Sequence, residues 1–163
     1  MNQFLISVSI DLIGGIQDAL YLVRSLSSSA QIEKVSSIYK RFLNSRNEDL
    51  NSELVFVMKA ESSLSSEDLD AKLSELRKSA RAGRKRSFRI LSMNNQIQLK
   101  PDLALPHPDL IHDRLILQCC CEVWENYLHP VTGQKLSEIL LMSEALDSAE
   151  FFTQGKGLIG ANR

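Results

Sequence analysis

Short apolar, β-branched runs alternate along this chain with segments whose apolar residues recur at helical spacing. No other feature limits the architecture as much. "FLISVSI" (Phe4–Ile10) has the length and side chains of a buried strand. Gly14-Gly15 interrupts it. Ile16, Leu20, Leu22, Val23 and Leu26 then mark one face of a helix, with Asp18 in its first turn. "IEKVSSIYKRF" (Ile32–Phe42) alternates as one strand does. After a polar loop at Arg46–Ser52, "ELVFVMKAES" (Glu53–Ser62) is the clearest strand. Ser65 stands where a helix N-cap belongs, Asp68 is placed to reach back to it, and Leu69, Leu73 and Leu76 form the apolar face. Gly83 breaks that pattern.

"SFRILSM" and "QIQL" flank Asn94-Asn95, which predicts a tight hairpin because asparagine tolerates left-handed backbone. "LILQCCCEVWENYL" and "KLSEILLMSEAL" read as two further helices, separated by His129-Pro130 and Gly133. The order strand, helix, strand, strand, helix, strand predicts an α+β sandwich: a mainly antiparallel sheet with helices packed on it. One domain is expected over 1–145. Residues 146–163 show no period and are expected to form a mobile tail.

The totals narrow the function classes. A net charge of -1 offers no global attraction to nucleic acid or to an anionic membrane, so any such attraction must be local. No apolar stretch is long enough to cross a bilayer and no secretory leader is recognisable, so a cytoplasmic protein is expected. Cys119-Cys120-Cys121 are adjacent and lack a Cys-x-x-Cys partner, which fits small apolar core fillers better than a metal cluster. Trp124 and Tyr127, three apart on a helix, read as core.

"VSSIYKR" (Val35–Arg41), "ESSLSSEDL" (Glu61–Leu69), "DLALPHPDL" (Asp102–Leu110) and "HPVTGQKLSEIL" (His129–Leu140) together carry a resemblance. In order and spacing they resemble the 2-amino-4-hydroxy-6-hydroxymethyldihydropteridine pyrophosphokinase family of folate biosynthesis. Those enzymes transfer pyrophosphate from ATP to 6-hydroxymethyl-7,8-dihydropterin with Mg²⁺. The resemblance spans about Phe4–Leu141 and implies a ferredoxin-like βαββαβ sandwich with an added hairpin and C-terminal helices.

The same resemblance makes the departures legible. Aligned without a gap on the Leu-Pro-His-Pro stretch, the family's two metal-binding aspartates fall on Ser87 and Arg89. A hydroxyl is a poor Mg²⁺ ligand, and a guanidinium has no lone pair to give. The asparagine that recognises the pterin falls on Val55, and the aromatic that stacks on it falls on Leu115. The helix residue facing the adenine lies near Arg77. Arg84 and His107, which would face the nucleotide phosphates, are retained.

The basic run containing Arg77, Lys78, Arg81, Arg84, Lys85, Arg86 and Arg89 has two readings. One is an anion site, with Arg84, Arg86, Arg89 and His107 as ligand or phosphate contacts. The other is a solvated helix end beside an edge strand guarded by charge. The lack of an interleaved aromatic platform argues against nucleic acid.

The expectation is therefore a divergent homologue without pyrophosphokinase activity. It would need no cofactor and would bind an anionic small molecule or a protein partner. The alternative is a working pyrophosphokinase whose Mg²⁺ and ATP are held by relocated carboxylates such as Asp11, Asp102 or Asp113.

Overall fold

The computed structural model describes residues 1–43, 52–79, 86–144 and 149–160. The polar loop before the clearest strand, apart from Ser52, lies outside them, as do Arg81, Gly83, Arg84 and Lys85. Strands β1 (Asn2–Asp11) and β4 (Ser52–Ser62) run antiparallel at the centre of a six-stranded sheet. Both are buried through their middles, Phe4–Val8 and Leu54–Met58, because both faces of the sheet are covered there.

Alternation divides their side chains between two cores. Phe4, Ile6, Val8 and Ile10 of β1, with Leu54, Phe56, Met58 and Ala60 of β4, pack against helices α1 (Gly15–Leu26) and α2 (Ser66–Lys78). Leu5, Val55 and Val57 pack on the other side against α4 (Arg114–Trp124) and α5 (Leu136–Met142). The two layers of helices sandwich the sheet.

The remaining strands extend the sheet on either side. β5 (Arg86–Met93) flanks β1, while β2 (Gln31–Val35) and β3 (Ile38–Phe42) lie end to end along β4. All pairings are antiparallel, and the sequential order β1-α1-β2/β3-β4-α2-β5 with β5-β1-β4-β3 in space is the ferredoxin-like arrangement expected.

Residues 32–42 are thus two strands, not one. Val35 pairs with Met58 and Tyr39 with Val55, so four steps on one side oppose three on the other, a one-residue bulge. Buried Ser36 fills the gap: its N–H donates to Val57 O and its hydroxyl accepts from Val57 N, both at 2.9 Å. With the irregularity between Ile32 and Lys34, this sets Ile32, Val35 and Ile38 against one core at a spacing of three.

Helix starts follow the sequence cues. Ser65 Oγ accepts from Asp68 N at 3.1 Å, and the returning contact runs from the Ser65 hydroxyl to the Asp68 carboxylate at 2.8 Å, not from the Ser65 backbone. Asp113 caps α4 by accepting from Ile116 N at 3.2 Å. The four-residue helix α3 (Asp109–His112) precedes it and had no periodic signal to announce it.

The hairpin is displaced from the expected position. Asn94 is left-handed, with φ of 47°. Its N–H donates to Gln3 O and its Oδ1 accepts from Gln3 N, both at 2.8 Å. The turn is therefore tied to β1, and the chain beyond it does not pair with β5. The hairpin forms instead between β6 (Gln98–Lys100) and β7 (Leu103–Leu105), across Pro101-Asp102.

The C-terminal tail also carries structure that its composition did not suggest. Ala149–Thr153 forms β8, which pairs with β3 and extends the sheet, and Gly157–Gly160 forms the short helix α6, with Leu158 buried. Among the described residues no helix is long and apolar enough to cross a membrane.

Burial accounts for the cysteines. Cys119 and Cys120 are buried in the second core, and burial pushes the Cys119 thiol up to about 12. Half-buried Cys121 is raised to about 11 by the same cause, so none favours a reactive thiolate. Trp124 and Tyr127 pack with ring centroids 4.8 Å apart and planes tilted by 56°, and the Tyr127 hydroxyl donates to Asn94 O at 2.7 Å.

Candidate functional site

Strand alternation splits the basic run. Phe88 and Ile90 face the α1–α2 core, so Arg86 shares their side, while Ser87 and Arg89 face the side of Leu91 and α3. Arg86 lies between α1 and the sheet, its side chain 7% exposed, and it pairs with Asp18 at 2.9 Å. Gly14 makes room for that carboxylate: a Cβ there would come within 1.9 Å of Asp18 Oδ2. Arg86 thus has a carboxylate partner where the sequence reading expected a phosphate. Its partner is a fixed carboxylate, and its position is on the opposite face from Arg89. Arg84 lies outside the described residues.

Arg89 and His107 do come together. They line a cavity of about 390 Å³ at the free edge of β5, with Arg77 of α2, the β6–β7 turn (Pro101, Asp102) and Pro108. Arg89 is half-exposed and donates through Nη1 to Asp109 Oδ2 at 2.9 Å. His107 is anchored by its N–H to Leu91 O at 2.7 Å, and its Nδ1 accepts from Asp109 N at 3.1 Å. A neutral ring accepting at Nδ1 carries its proton on Nε2. Burial, reinforced by the Arg89 charge and opposed by Asp109, holds the imidazole below its ordinary range. His107 thus makes a structural hydrogen bond and also lines the cleft.

Arg77 guards the strand edge. Its Nη1 donates to Phe88 O and its Nη2 to Ser74 Oγ, with Asp70 3.8 Å away. The guarded-edge reading describes Arg77, and among the described anion-site candidates Arg89 and His107 line the cleft.

The positions that would meet a pterin are closed. Val55 is 0% and Leu115 2% exposed, both inside the second core. Helix α4 covers Val55 and is held down at its N-terminus by Asp113, which accepts from Arg41 Nη1 at 2.7 Å while Arg41 also pairs with Glu53 at 2.8 Å. Burial works against the Arg41 charge, but Asp113 and Glu53 outweigh it and hold its pKa above the ordinary value. This clamp had no local signal in the sequence, since its members are 72 and 12 residues from Arg41.

The residues at the family's metal position do not fit Mg²⁺. Ser87 offers one neutral hydroxyl, and Arg89 is a fixed cation. A dication about 5 Å from a guanidinium would be repelled by roughly 7 kcal/mol at an effective dielectric of about 20. The alternative carboxylates are dispersed: Asp113 is committed to Arg41 and the α4 cap, Asp11 ends β1 opposite Glu53, and Asp102 lies in the hairpin turn. Among the described residues no three His, Cys, Asp or Glu gather in a way that could hold a metal ion.

Neither a family model nor a curated protein matches the chain. Solved structures do. The wild-type HPPK-DHPS of Plasmodium falciparum with pterin and p-hydroxybenzoate superposes with a TM-score of 0.68 at 10% identity, over 86% of this chain and 42% of that one. A triple mutant of the same enzyme with SDX-DHP gives 0.72 at 10% identity, over 86% and 44%. The chain shares the fold of the matched part of those HPPK-DHPS chains. An HPPK-DHPS in complex with substrates gives 0.67 at 11% identity, over 86% and 43%. The pyrophosphokinase that the sequence resembles is the HPPK of that name, so motif order and superposition agree on one fold. This chain spans less than half the length of the HPPK-DHPS chains.

Proposed function

We propose that this chain is a non-catalytic relative of the pterin pyrophosphokinase, cytoplasmic and metal-free, that uses the β5-edge cleft to bind an anionic small molecule or an anionic group on a protein partner. One observation carries this reading: Arg89, which the sequence resemblance aligns with a metal-binding aspartate, lines the cleft together with His107. Phosphoryl-type transfer depends on positioning and on metal that neutralises the phosphates. A guanidinium supplies charge but cannot bridge two phosphates with metal geometry. The sealed Val55–Leu115 region argues in the same direction, since the second substrate has no open pocket at its family position.

The reading is tested by assaying AMP release from ATP, 6-hydroxymethyl-7,8-dihydropterin and excess Mg²⁺. The expected result is no release above the protein-free rate. Release in proportion to protein would replace this reading with that of a working pyrophosphokinase whose metal ligands have moved.

A further inference from the structure

We infer that the β5-edge cleft binds a polyphosphate anion free of divalent cation, and that magnesium opposes binding instead of supporting it. The inference rests on the anion-binding reading of this cleft and adds the sign of its metal dependence.

Arg89 spends only Nη1 on Asp109. Among the described residues its Nε and Nη2 make no hydrogen bond or ion pair, so part of the guanidinium fork remains for a second acceptor. The ion pair itself is weakly held, with side chains 50% and 29% exposed, as solvent-screened pairs are. His107 adds a neutral Nε2–H donor on the same cleft wall. Two donors, one of them permanently charged, suit phosphate oxygens.

The carboxylates cannot recruit a cation alongside. Asp109 already faces Arg89 and lies 3.6 Å from His107 Nδ1, and Asp70 faces Arg77. A magnesium ion on the anion would cover the oxygens that Arg89 needs, lower the anion's charge, and stand beside a guanidinium. Arg89 therefore does the charge neutralisation that metal does elsewhere, and the two compete for one set of oxygens.

Isothermal titration with inorganic pyrophosphate, and separately with ATP, tests this in EDTA and in excess MgCl₂. Binding of both probes in EDTA, weakened about tenfold by magnesium, is expected, a change on the scale of one charge-assisted contact. Binding of ATP alone would show that the site recognises the nucleoside and overturn the polyphosphate assignment. Arg89→Ala should abolish metal-free binding and Arg89→Lys should retain part of it. Binding unchanged in Arg89→Ala overturns the inference. Tighter binding with magnesium overturns it too, while leaving the anion cleft standing. No heat under either condition removes both the cleft reading and this inference. The wild-type comparison decides the sign even if a variant fails to fold.

Discussion

Arg41→Ala is expected to lower the free energy of unfolding by about 3 kcal/mol, because it strands two largely desolvated carboxylates. The Arg41, Glu53 and Asp113 side chains are only 23%, 19% and 22% exposed. Arg41 Nε and Nη2 both serve Glu53 Oε1, at 2.9 and 2.8 Å, and Nη1 serves Asp113 Oδ2 at 2.7 Å. Removing the guanidinium leaves neighbouring negative charges with little water to solvate them. Asp113 must also keep capping α4, the helix that closes over Val55. Urea denaturation measures the loss. An Asp113→Asn change made in the Arg41→Ala background should recover part of it, because it removes one stranded charge and keeps a cap acceptor. A loss below about 0.5 kcal/mol would mean that the clamp contributes no more than a surface pair.

Gly155→Ala should cost about 2–3 kcal/mol by driving a methyl group into backbone. A Cβ at Gly155 would come within 1.9 Å of Ser36 O and 2.7 Å of Val35 Cγ1. The chain at Ser36 cannot yield easily, since its N–H and hydroxyl are both tied to Val57 at the bulge between β2 and β3. The strain should be relieved by undocking β8 together with the segment that follows it. Hydrogen exchange would then show lost protection at Phe151 and Thr153 and little change at β1. Gly157→Ala is the control, because nothing lies within 4 Å of a Cβ there. Equal stability of the two variants would show that the close approach at Ser36 is not retained in solution.

Much of the fold was legible because it is written in local periodicity. β1 and β4 announced themselves by short apolar, β-branched runs, Phe4–Ile6 and Leu54–Met58, as central strands covered on both faces do. Ser65 announced α2, since its hydroxyl has one obvious backbone N–H to satisfy. What was not legible depends on distant partners. The Ile32–Phe42 alternation hides a bulge, visible only once β4 fixes the register. The Asn94 turn has the expected backbone, yet its hydrogen bonds go to Gln3, a contact across 91 residues. β8 is short and its Phe151 is 56% exposed, so no apolar period marks it; its order comes from pairing with β3.

The site divides in the same way. That Ser87 and Arg89 share a face, and Arg86 takes the other, follows from the two-residue period of a strand. That Arg86 would be neutralised by Asp18, or that Asp109 would meet Arg89, does not. Val55 and Leu115 could be recognised as unfit for a pterin by residue type alone, but their closure under α4 needed the Arg41 clamp to be seen.

The most direct test is a crystal structure of the protein with a non-hydrolysable ATP analogue and excess Mn²⁺, which anomalous scattering locates without ambiguity. The account predicts phosphate oxygens on Arg89 and no manganese between them. An anomalous peak bridging two phosphates beside Asp102 or Asp109 would contradict it.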